Sequence, residues 1–244
     1  MHLSHQSVSL IIQVVSYVLW FPLKVLGIQA MLNAGVRRYL LVFVYSVVTL
    51  LLAVVQAPVA LAFHRSAQGL GWFDQVHYSS QGVTYTFILA IVLSFIYRAS
   101  ADVGPRRLLR TLLFAGGLAF ILISGWIHYD RHQAWLGAWV TTWTRDLNFC
   151  AAVLDLVLWG MLIATRRPGS QMLLLLTGGM GIMFSGEAIG AAVRDLGIRQ
   201  LSFPVFLIGH AIVVLADAAF LYVWWQAFRR EAAAQAPLAA TTHR

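Results

Sequence analysis

With 244 residues, 60% of them hydrophobic and only 11% charged, the chain carries more apolar surface than a water-soluble core of that length buries. Its mean hydropathy of +0.76 points to lipid as the solvent. The formal charge of +8 is almost all arginine. In so apolar a chain it reads as loop charge at a membrane surface, with no nucleic acid as partner, and the single Cys150 excludes an internal disulfide and a cysteine-based zinc site.

Seven stretches meet the requirement of about 20 mainly apolar residues for a spanning helix. They are 8–27, 39–63, 79–97, 109–128, 147–165, 171–193 and 201–228. The fold class expected is therefore an all-α seven-helix membrane bundle forming one domain over 1–230. The Ala-rich tail 231–244 is expected to fray. No internal repeat is visible, and the N-terminus lacks the basic region of a signal peptide.

Basic residues orient the bundle. Lys24, Arg37, Arg38, Arg98, Arg106, Arg107, Arg110, Arg166, Arg167, Arg229, Arg230 and Arg244 fall on one side. Arg65, Arg131, Arg145, Arg194 and Arg199 fall on the other. This asymmetry puts the C-terminus in the cytoplasm and the N-terminus outside the inner membrane. Trp72, Trp126, Trp135, Trp139 and Trp143 cluster near the outer boundary, as interfacial aromatics do.

Ionisable side chains inside spans are costly and face protein or water. Asp155, Glu187, His210 and Asp217 are such residues. Measured from the expected helix ends at ~1.5 Å per residue, Asp155, Glu187 and His210 share one depth in the outer third. Asp217 lies about 10 Å further in, on nearly the same helical face as His210. Gln13, Ser16, Tyr17 and Trp20 form one face of the first helix, and Gln56 and Tyr85 add polar groups from the second and third. Together they outline an outward-facing ligand-binding or protonation layer. Each polar group taken singly also serves simple helix packing. Gly179, Gly186 and Gly190 form a small-residue stripe on the sixth helix, suited to close packing or to leaving room for a ligand.

Histidines gather at the outer rim. His128 and His132 stand four apart, and with Asp130 or His64 they offer a metal site without the catalytic glutamate of a zincin motif. His64, His128 and His210 do not fall in the facing pair that haem ligation needs.

In "LADAAFLYVWW" Asp217 precedes Leu221, so the seven-helix plan resembles the rhodopsin and receptor topology without its retinal lysine. Covalent retinal on the last helix is excluded. The segments "RRYLLVFVYSVVTLLL" and "IYRASADVGPRRLLRTLLF" resemble a family of uncharacterised bacterial seven-helix membrane proteins, a likeness that implies the fold and no activity.

The function expected is a small-molecule- or proton-sensing or binding module that signals through a protein partner or a second copy of itself. A metal-dependent membrane hydrolase or lipid-modifying enzyme, and an accessory or redox subunit of a larger complex, stand as alternatives. The cofactor is left open.

Overall fold

The computed structural model describes residues 5–63, 67–100, 106–129, 136–165 and 171–241, with side chains described chiefly over 14–57, 76–100, 111–129, 139–164 and 171–234. Seven helices cover almost all of it: α1 (His5–Asn33), α2 (Leu40–Phe63), α3 (Ala67–Ala99), α4 (Arg106–His128), α5 (Leu136–Thr165), α6 (Gln171–Arg199) and α7 (Phe203–Thr241). A 3-10 turn, Val36–Tyr39, links α1 to α2. All seven are long and apolar enough to span a membrane.

Most helices run past the apolar windows. α3 starts twelve residues before residue 79, α5 starts eleven before 147, and α6 runs six beyond 193. Apolarity marks the length that fits hydrocarbon, whereas a helix continues until its backbone bonding is interrupted. The "AAAQAPLAAT" segment is helical in α7, in keeping with alanine's high propensity. α1 also continues, through Pro22, to Asn33. Lys24, expected at the cytoplasmic end of the first helix, therefore lies well inside α1 and inside a segment long and apolar enough to span.

The chain divides into two compact units, Met1–Tyr39 with Leu174–Arg244, and Leu40–Leu173. The first contains α1, most of α6, and α7. Here α7 packs along α1, and α6 and α7 form a tight antiparallel hairpin. Its turn is a Schellman motif. Ser202 N–H donates to Gly197 O (2.8 Å), Leu201 N–H donates to Ile198 O (3.2 Å), and Leu201 takes the left-handed position at φ 51°. A leucine there costs about 1–2 kcal/mol relative to a right-handed conformation. Above the turn the two backbones nearly touch. A Cβ added to Gly190 would stand 2.7 Å from the Gly209 carbonyl oxygen, and one added to Gly186 would collide with the Ala216 side chain. The glycine stripe is thus filled by α7, leaving no room there for a ligand. Further along, the buried Trp224 donates its indole N–H to Leu176 O (3.0 Å).

The second unit is built on α3, which packs against α2, α4 and α5. Ile88, Leu89, Ile91, Val92 and Phe95 are buried on it. α5 presents a buried stripe of Val140, Thr144, Leu147, Ala151, Asp155, Leu158 and Leu162, spaced by three or four residues throughout. The opposite faces carry exposed Phe149, Leu156, Leu118, Leu122 and Trp126. Exposed apolar side chains in such number suit contact with lipid.

A candidate charged site in the first unit

On α1 the packed face reads Ser16, Gly27, Ala30 and Met31 in buried positions, with half-buried Tyr17, Trp20 and Lys24 between them. Trp20 and Lys24 are one turn apart on that face. The Trp20 Nε1 atom is buried and makes no hydrogen bond. Lys24 is the only lysine in the chain, and its ammonium interacts electrostatically with Asp217 on α7.

Asp217 interacts in turn with Glu187 on α6. The hairpin explains why. Gly186 abuts Ala216 across the α6–α7 seam, and Glu187 and Asp217 are the residues that follow each of them. One ammonium and one carboxylate, from two other helices, therefore lie within electrostatic reach of Asp217, all within segments long and apolar enough to span. Fully ionised, these three groups sum to one negative charge. Such a group in a membrane draws a proton, a cation or a polar ligand, because an uncompensated charge in low dielectric is expensive.

The expected layer is divided differently in the structure. Glu187 lies at the level of Asp217 and not of His210. Counted from the real end of α6 at Arg199, Glu187 is about 18 Å deep, while His210 is about 10 Å into α7. The extra helical turn "RDLGIR" accounts for the difference. His210 is instead half-buried and interacts with Arg194, which packs against Gly209.

Asp155 belongs to the second unit, 3% exposed on the buried stripe of α5 between Ala151 and Leu158. Its Oδ1 makes no hydrogen bond. Gln56 donates to the Ser80 hydroxyl, which donates to His77 O (2.7 Å), and Gln81 Nε2 stands 3.0 Å from His77 Nε2. This small polar chain ties α2 to α3. Tyr85 is half-buried on α3, and the Gln13 side chain lies outside the described residues.

His64, Asp130 and His132 also lie outside the described residues. His128 Nε2 pairs with Asp146 Oδ2 at 2.7 Å, and Ser124 donates to the same oxygen at 3.0 Å. That nitrogen is engaged in closing α4 onto α5 and is not presented to a metal. Among the described residues, no cluster of three or more His, Cys, Asp or Glu could hold a metal ion. The sequence reading missed Asp146 because it starts the expected fifth span one residue later.

A groove of ≈ 380 Å³ between α3 and α5 is lined by Tyr78, Gly82, Phe87, Trp139 and Trp143 among others, and contains none of the site residues expected from sequence. Trp139 and Trp143 stack at 5.5 Å with an interplanar angle of 7°. Their indole N–H groups donate to Gly125 O and Ile121 O on α4.

No protein-family model, no curated protein and no solved structure matches the chain.

Proposed function

We propose that the protein is a multi-pass membrane module that binds a proton or a small cationic or polar molecule at Lys24, Glu187 and Asp217, and passes the change to a separate partner. The observation that carries this reading is that Asp217 on α7 is electrostatically coupled to Lys24 on α1 and Glu187 on α6, with the α6–α7 seam closed at the neighbouring Gly186 and Ala216, within apolar segments. Helix packing alone would use uncharged polar groups at much smaller cost. The unsatisfied Trp20 N–H, one turn from Lys24, adds a donor available to a bound oxygen.

The proposed orientation has the N-terminus outside and the C-terminus in the cytoplasm of a bacterial inner membrane. With Lys24 removed from the loops, eleven basic residues against five still favour it. The partner is read as a protein or a second copy of the chain, met at the basic side.

The test is the response of reconstituted protein to pH, followed by intrinsic tryptophan fluorescence and by the vibrational band of protonated carboxyl groups. Wild type is expected to show a titration that Asp217→Asn and Glu187→Gln each displace or remove. Unchanged titrations in both variants, with helix content retained, would refute the reading.

A further inference from the structure

At the far end of the α1–α7 pair from His210, four arginines come together. Arg37 and Arg38 lie on the 3-10 turn, and Arg229 and Arg230 lie on α7; all four are exposed. Two contacts fix the turn against the helix: the Tyr39 and Phe228 rings meet edge to face at 5.4 Å, and Arg38 pairs with Glu231 at 2.8 Å. Glu231 balances one of the four positive charges, so the surface keeps a clear excess.

Two of the four guanidinium groups are also held in place. Arg38 Cζ lies 5.7 Å from the centroid of the Tyr39 ring, and Arg229 Cζ lies 5.1 Å from that of Trp225. Resting a guanidinium on an aromatic face restricts it while leaving its in-plane N–H donors for a partner. Trp225, Tyr222 and Tyr39 are the ring types that settle at the height of lipid headgroups. α7 becomes strongly polar immediately after Trp225, at "QAFRRE". The donors are therefore set where lipid phosphates lie.

We propose that Arg37, Arg38, Arg229 and Arg230 form a binding site for the phosphate of an anionic phospholipid. Charge complementarity decides the occupant: planar donors match phosphate oxygens, and the adjoining rings give the acyl-glycerol region an apolar neighbour. The site is separate from the Lys24 cluster and does not depend on it.

The full chain would be placed in phosphatidylcholine nanodiscs containing a minor fraction of either brominated phosphatidylglycerol or brominated phosphatidylcholine. Bromine quenches a nearby indole, and the Trp225 share is obtained by difference from Trp225→Phe. The brominated anionic lipid is expected to quench Trp225 more strongly, with a local enrichment of roughly fivefold per engaged arginine at low salt. Arg229→Gln with Arg230→Gln should remove most of the preference, and Arg229→Lys with Arg230→Lys should retain part of it. Equal quenching by the two lipids in wild type would overturn the proposal, as would a preference untouched by the glutamine pair. In a competition arm, inorganic phosphate or an acidic peptide that abolishes the preference at low concentration would overturn the lipid assignment. Failure of both to compete would support it.

Discussion

The two units handle buried charge in opposite ways. In the unit of α1, α6 and α7, Glu187 and Asp217 stand near each other with Lys24 brought in from a third helix. In the unit of α2 to α5, Asp155 is 3% exposed, flanked along its helix by Ala151 and Leu158, with one oxygen unsatisfied. The first arrangement shares an electrostatic cost among groups that interact. The second leaves a single acid to carry it on a stripe where leucine would pack. The contrast shows that a polar residue in a span means little until its partners are known.

The largest effect should come from splitting the cluster. Lys24→Met leaves Asp217 with the Glu187 carboxylate and without that ammonium. For these half-buried groups a loss of about 3 kcal/mol is expected, the low end of the range for removing one member of a buried charged pair. Thermal unfolding in detergent would show it, and a variant as stable as wild type would break the contrast between the units.

Next comes the seam that sets Glu187 beside Asp217. Gly190→Leu must push its side chain into the Gly209 backbone and Val213. Overpacking of this kind costs about 1–3 kcal/mol and more when backbone must move. The accompanying loss of the Asp217-dependent titration would tie the seam to the site, whereas a destabilised protein with an intact titration would separate them.

Asp155 gives the converse prediction. Asp155→Leu should raise stability by about 1–3 kcal/mol, because an unsatisfied buried polar atom is removed and the stripe becomes continuous. A fall in stability would mean that Asp155 makes a compensating interaction. The smallest effect is at the α6–α7 turn, where Leu201→Gly relieves the left-handed position. An increase of about 1 kcal/mol in unfolding free energy is expected, and no gain would remove strain from the account of that turn.

These predictions depend on features that were unequally legible in the sequence. Hydropathy located all seven helices, and the Gly186 and Gly190 spacing identified a packing face. Depth was the weak point. Ending the sixth span at 193 put Glu187 level with His210, and ending the first at 27 put Lys24 in the last turn of its helix. Both errors have one source: the apolar window measures the hydrocarbon thickness, and a helix need not stop where apolarity does. Recognising Lys24 required only that the polar face of Gln13, Ser16, Tyr17 and Trp20 be carried one turn further. The pairing of Glu187 with Asp217 was harder. It depends on the register of the hairpin, which Leu201 and Gly197 set through backbone bonds that hydropathy does not encode. His128 was visible, but its partner Asp146 fell just outside the expected span.

The central claim is that Lys24, on α1, and Asp217, on α7, act on each other within the spanning region. The most direct test is a double-mutant cycle of Lys24→Met and Asp217→Asn, read by unfolding in one detergent at one pH. The double variant is expected to be more stable than the sum of the single losses implies, by about 1 kcal/mol or more. Single losses that simply add, within about 0.5 kcal/mol, would contradict it.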